Sequence, residues 1–206
     1  MVAKPLIHVV DDDESLRASL IDLLKAAGLE ARAYASTGEF LLNPPADRPG
    51  CLLLDVRMPG PSGLELQAAL QHRGGVMLPV IFLTGHADVP TSVRAMKAGA
   101  VDFLEKPVER DTLLDALQRA LARDVARRAV REEAHRHSAR LAALTPRERE
   151  VFDRIVAGKL NKQIADELRI GLRTVKAYRA ELMVKLGVTS AAELGRLAGE
   201  RRDAPD

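Results

Sequence analysis

A chain of 206 residues, 47% hydrophobic, 29% charged and without tryptophan, has room for one large domain or two small ones. No apolar run approaches the roughly 20 residues of a membrane span, and the single cysteine, Cys51, excludes an internal disulfide framework. The net charge of +2 is unevenly placed: residues 1–118 sum to −5, residues 119–140 to +4 and residues 141–206 to +3, so the front and back of the chain suit different partners, the rear one polyanionic.

The N-terminal sequence enters an apolar run at 6–10 with no hydrophobic leader, so a cytoplasmic protein is expected. Further strand signals fall at 29–34, 51–55, 79–84 and 100–105, with helical stretches between them. Ser36 with Glu39 and Ser62 with Glu65 are capping-box pairs, and Gly28 and Gly99 stand where helix C-caps belong. The runs at 6–10, 51–55 and 79–84 are continuously apolar rather than alternating, the mark of parallel strands covered on both faces. Five such units predict a doubly wound α/β sheet.

From Val108 to Thr145 there is no Gly or Pro, and Asp124 with Arg128 and Glu132 with Arg136 are favourable i,i+4 pairs. The fifth helix is expected to run on into a helical linker. Leu113, Leu117, Leu121 and Val125 form its apolar stripe, which then thins to alanine; a hinge near Ser138 and a coiled coil both stay open. The remainder is all helical: a capping box at Thr145 and Glu148 with Pro146 at the first position, a stop at Gly158, a pair of helices around NKQIADEL and TVKAYRAELMVKLG, and a last helix capped by Ser190 with Glu193. The domains expected are 1–121, a linker at 122–141, and a four-helix all-α domain at 142–206.

Two of the strands finish in carboxylates, the first in Asp11, Asp12 and Asp13 and the third in Asp55. In a parallel sheet, Asp11, Asp12, Asp55, Thr84 and Lys106 all fall just past strand ends on one edge, where open α/β sheets bind ligands. Grouped carboxylates are hard oxygen ligands suited to Mg²⁺. A lysine and a hydroxyl beside them suit an anion with several oxygens. Such a set fits phosphoryl transfer to an aspartate. Any one of these residues could merely cap the next helix; five coinciding on one edge argue otherwise.

VVDDDE, DVRMPGPSG, TGHADVP and MKAGAVDFLEKP, in that order, resemble the receiver domain of bacterial two-component response regulators over residues 4–121. The resemblance implies that Asp55 accepts a phosphoryl group from a sensor histidine kinase. It makes Asp11, Asp12, Asp55 and the backbone carbonyl of Arg57 the Mg²⁺ ligands, and Thr84 and Lys106 the partners of the phosphoryl group. Phe103 matches the switch aromatic, and Lys106-Pro107 the peptide bond that is cis in this family. A switched Thr84 would leave space for Phe103 and alter the face carrying Val93, Arg94, Lys97 and Asp102, where such domains commonly dimerise.

The rear of the chain reads as a helix-turn-helix whose second helix enters the major groove of double-stranded DNA. Ile164, Leu168, Ile170, Val175 and Leu182 supply a small core, and Ala165 a close helix crossing. Residues 144–197, with LTPREREV and NKQIADEL, resemble the LuxR-type DNA-binding domain, so the whole chain resembles NarL/FixJ-type regulators, nearest the FixJ branch. The helical wheel turns Val175, Tyr178, Leu182 and Leu186 inward. It leaves Arg173, Lys176, Ala177 and Ala180 open, with Arg179 flanking. Asn161, Lys162, Thr174 and Lys185 are phosphate-contact candidates. Two domains on two-fold related half-sites would give specific affinity, with a homodimer formed on phosphorylation and RNA polymerase as a further partner.

Other residues carry simpler readings. Cys51 opens a buried strand and is expected to be inert, His8 to be packed, and His86 to lie exposed in the loop after Thr84. His135 and His137, two apart, do not share a helix face. A haloacid-dehalogenase-like phosphatase would also use a strand-end aspartate and Mg²⁺, but the chain has no room for a cap insertion. No turnover of an external substrate is expected.

Overall fold

The structure, a computed structural model, describes residues 4–72, 78–85, 88–190 and 192–195. The chain divides into two compact units, Met1–Arg128 and Ala129–Asp206.

The first unit holds five strands, β1 (Leu6–Val10), β2 (Glu30–Tyr34), β3 (Gly50–Asp55), β4 (Val80–Thr84) and β5 (Asp102–Glu105). They form one parallel sheet in the order β2-β1-β3-β4-β5. The helices between them are α1 (Glu14–Ala26), α2 (Thr37–Leu42), α3 (Gly63–His72) and α4 (Val89–Lys97). Strand side chains alternate between two cores. Ile7, Val9, Cys51, Leu53, Ile81 and Leu83 pack with α1 and the start of the fifth helix. Val10, Leu52, Leu54, Val80 and Phe82 pack with α2, α3 and α4. This double burial is why the runs at 6–10, 51–55 and 79–84 carry no polar alternation. His8 is packed as expected, with Nδ1 2.9 Å from the Tyr34 hydroxyl and the Phe40 ring edge-on to it. Cys51 is buried, and burial pushes its thiol far above the usual range, so no thiolate forms there.

The fifth helix, α5 (Arg110–Ala142), includes Ser138 without interruption. Its inward face differs from the expected stripe. Leu113, Ala116, Leu117 and Ala120 are buried, but Val125 is 57% exposed and Asp124 is fully buried in its place. The period of 3.6 explains this: 113, 117, 120 and 124 stay on one line, whereas steps of four drift around the helix. The Asp124 carboxylate accepts from the Gly50 N–H at 3.1 Å, Arg127 at 2.6 Å and Arg128 at 2.7 Å. Arg128 reaches on to Asp47 and the Arg48 carbonyl. A buried ionic clasp thus fastens α5 to the start of β3.

The second unit contains α6 (Pro146–Val156), α7 (Asn161–Leu168) and α8 (Leu172–Leu186), and residues 192–195 are helical. The Thr145–Glu148 capping box is present, and Ser190 Oγ accepts from the Glu193 N–H at 3.2 Å. The rest of the last helix, the C-terminal tail and His86 lie outside the described residues. Val151, Phe152, Ile155, Ile164, Ala165, Leu168, Val175, Leu182 and Leu186 form the core, with Ile170 and Tyr178 partly buried against it.

Candidate functional site

The four strands β1, β3, β4 and β5 are adjacent, and their C-terminal ends share one edge of the sheet. The strand order reverses between β1 and β3, which opens a crevice at that point. Asp11 follows β1 and is 1% exposed; Asp55 ends β3 at 7%; Thr84 ends β4 at 1%. Carboxylate oxygens of Asp11, Asp12 and Asp55 lie within 4.8 Å of one another. Asp13 instead caps α1, accepting from the Leu16 N–H at 3.0 Å.

Lys106 follows β5, held there by its N–H donating to the Thr84 carbonyl at 2.8 Å. Its Nζ bridges Asp11 at 2.6 Å and Asp55 at 2.7 Å. The next peptide bond, Lys106-Pro107, is cis. Burial alone would lower the Lys106 pKa, but its hydrogen bonds and the charges of both aspartates outweigh that and raise it, so the ammonium is retained. Burial pushes the Asp11 carboxyl above the usual range, and Lys106 pulls back only part of the shift. Three carboxylates facing one ammonium leave a surplus of negative charge and hard oxygen donors. That donor set fits Mg²⁺, which receiver domains generally bind.

Two supporting residues escaped the sequence reading. Arg17 donates to the Asp11 carbonyl at 2.7 Å, bracing the first loop; its place one turn after Asp13 was the available signal. Gly63 opens α3 against Asp55, where a Cβ would overlap the Asp55 carbonyl oxygen and crowd Leu54. The Arg57 N–H donates to Asp55 Oδ1 at 3.1 Å, and its guanidinium reaches Asp88, the N-cap of α4, at 3.7 Å. The loop after the phosphoacceptor candidate therefore touches α4 directly.

Phe103 is half-buried on β5, its ring 6.1 Å from that of Phe82. Val93, Arg94 and Lys97 are exposed on α4, and Asp102 pairs with Arg119 of α5. Val89 and Met96, 75% and 45% exposed, extend Val93 into an apolar stripe that the sequence reading did not name.

In the second unit Arg173, Thr174, Lys176, Ala177 and Ala180 are exposed, Arg179 is half-buried, and Val175, Leu182 and Leu186 are buried. Asn161 and Lys162 open α7. Lys185 is engaged by Glu148, at 3.0 and 2.8 Å, so its charge already has a partner within the unit. The turn between α7 and α8 carries Arg169 in the left-handed conformation, φ 54°.

Residues 7–118 match the response regulator receiver domain, and residues 142–198 match the luxR family of bacterial regulatory proteins. Nodulation protein W of Bradyrhizobium diazoefficiens is 44% identical over 199 residues, covering 95% of this chain and 86% of its own. The transcriptional regulatory protein FixJ of Azorhizobium caulinodans is 46% identical over 194 residues, covering 93% and 90%. Among solved structures, the response regulator StyR superposes with a TM-score of 0.81 at 44% identity, covering 96% of this chain and all of that one. These matches, together with the parallel five-stranded sheet with grouped carboxylates at its edge and the helix-turn-helix unit later in the chain, place this chain among the FixJ-like two-component response regulators, transcription factors that join a receiver domain to a LuxR-type DNA-binding domain.

Proposed function

We propose that Asp55 is the phosphoacceptor and that its modification controls DNA binding by the second unit. The observation that carries this reading is the bridge from Lys106 Nζ to both Asp55 and Asp11 at the sheet edge. A carboxylate oxygen of Asp55 attacks the phosphorus of a phosphohistidine on the sensor kinase; the O–P bond forms as the N–P bond breaks, and the imidazole leaves. Asp11, Asp12, Asp55 and the Arg57 carbonyl would hold Mg²⁺, which when bound neutralises charge on the transferring group. Lys106 supplies a fixed positive charge to the same oxygens. No external substrate is turned over: the protein takes part in its own modification.

The acyl phosphate adds about two negative charges and three acceptor oxygens. Thr84 bonds one of those oxygens, Phe103 moves into the space left, and the face of α4 and β5 around Val93, Arg94, Lys97 and Asp102 changes with it. The exposed stripe of Val89, Val93 and Met96 supports dimerisation through that face. Two copies then present two α8 helices to two-fold related half-sites. Arg173 and Lys176 pair with bases and Ala177 and Ala180 meet them in the groove. Arg179 flanks that face, and Asn161, Lys162, Thr174 and Lys185 meet phosphates. Lys185, tied to Glu148, is the weakest member of that set. RNA polymerase is the further partner, and the bacterial cytoplasm the compartment; no helix among the described residues is long and apolar enough to cross a membrane.

The test is a reaction with an acyl-phosphate donor and Mg²⁺, read by mass spectrometry of the intact protein and of its peptides. One phosphoryl group on the peptide containing Asp55, absent from Asp55→Asn, is the expected result. Equal labelling of Asp55→Asn removes the assignment.

A further inference from the structure

The outward line of α8 is apolar over most of its length. Arg173 and Val184 stand eleven residues apart, about three turns, and so share one azimuth, with Ala177 and Ala180 between them. The opposite line, Val175, Leu182 and Leu186, is buried. Val184 is 83% exposed. Arg173, Lys176 and Arg179 make the beginning of the same helix basic, as a polyanionic partner requires. Side chains at 177, 180 and 184 have no polar atom, so this line can form no hydrogen bond to a base edge. The one apolar group that a base pair shows in the major groove is the thymine C5-methyl. Two alanines also let the helix backbone come close to the groove floor.

Resting on the reading that α8 enters the major groove, we infer that Ala177, Ala180 and Val184 read the C5-methyl groups of neighbouring thymines, so that the half-site is thymine-rich beyond the base pair met by Arg173. Seven residues from Ala177 to Val184 advance about 10 Å, or about three base-pair steps of about 3.4 Å.

The experiment uses the full-length protein with an acyl-phosphate donor and Mg²⁺. A random duplex library is enriched for binding, and the enriched duplex is remade with deoxyuridine in place of each thymine, which removes only the methyl group. Affinity is expected to fall about three- to fivefold at each of two or three neighbouring positions, as for loss of about one buried methyl contact. Val184→Ala, which removes two of the methyl groups on that line, should reduce the fall at one of them and leave the falls at the others unchanged. Indifference to deoxyuridine, or a thymine preference that Val184→Ala leaves whole, overturns the inference while DNA binding stands. A changed oligomeric state of Val184→Ala with the preference intact assigns Val184 to a protein interface and overturns it too. If no duplex is enriched at low salt, the groove-binding reading fails and the inference falls with it.

Discussion

Gly63 lies so close to Asp55 that a Cβ on it would overlap the Asp55 carbonyl oxygen. The Gly63 N–H also donates to the Val56 carbonyl at 3.1 Å, so α3 starts directly on the loop that positions the phosphoacceptor candidate. The contact is with backbone on both sides, and backbone cannot rotate away. Gly63→Ala should therefore lower stability by about 1–3 kcal/mol and slow phosphoryl uptake by Asp55. Urea denaturation and the rate of labelling by an acyl-phosphate donor measure the two effects. An unchanged midpoint and rate would mean that the loop has room to shift.

His8 sets a pH dependence. Burial, then the charges of Arg32 and Arg48, lower its pKa from 6.5 to about 4. The unfolded chain takes up the proton near pH 6.5, whereas the folded protein resists until about pH 4. Stability from this group is complete above 6.5 and is lost as pH falls through that window, by on the order of 3 kcal/mol. Asp11 acts in the opposite sense, because its raised pKa makes proton uptake favour the fold as pH falls. His8→Gln keeps a polar group beside Tyr34 and removes the titration. Denaturation midpoints between pH 7 and 4 should fall less steeply for this variant than for the unaltered protein. Parallel slopes would rule out His8 as the source.

The clasp at Asp124 anchors α5 through a buried carboxylate. Its carboxylate is fully buried and serves the Gly50 N–H and two guanidinium groups. Asp124→Ala leaves a buried N–H without an acceptor and removes the carboxylate that Arg127 and Arg128 share, Arg128 keeping Asp47. A loss of about 3 kcal/mol is expected, read by urea denaturation, with a smaller loss for Asp124→Asn. Two variants within a few tenths of the parent would show that water replaces the carboxylate.

Arg169 holds φ 54° in the turn between α7 and α8. A residue with a Cβ pays for that conformation and glycine does not. Arg169→Gly should stabilise the second unit by about 1 kcal/mol, visible as a raised melting temperature of residues within Ala129–Asp206. A lowered one would show that the Arg169 side chain holds the turn.

Much of the sheet and its edge could be read from the chain because the runs of β1, β3 and β4 are apolar and each candidate site residue stands at or just past a strand end. Asp11, Asp55, Thr84 and Lys106 are local consequences of strand ends, and the parallel order brings them together. What escaped was non-local. Gly63 matters through backbone 8 residues away, and Asp124 looks like an ordinary helix-surface acid until β3 is packed beside it. The apolar stripe assigned through Val125 followed steps of four, whereas the helix turns every 3.6 residues. Lys185 reads as a phosphate-contact candidate, and nothing in the sequence brings Glu148, 37 residues earlier, to within 2.8 Å of it. In α8, by contrast, the helical period alone separated the buried line from the open one.

The central claim is that phosphorylation of Asp55 governs DNA binding. Its most direct measurement is DNA affinity and oligomeric state of the full-length protein, with and without an acyl-phosphate donor and Mg²⁺, beside Asp55→Asn. The account predicts that the donor shifts the unaltered protein toward a dimer and tightens its binding, and that Asp55→Asn does neither. A donor without effect on the unaltered protein, or an equal response from Asp55→Asn, would contradict it.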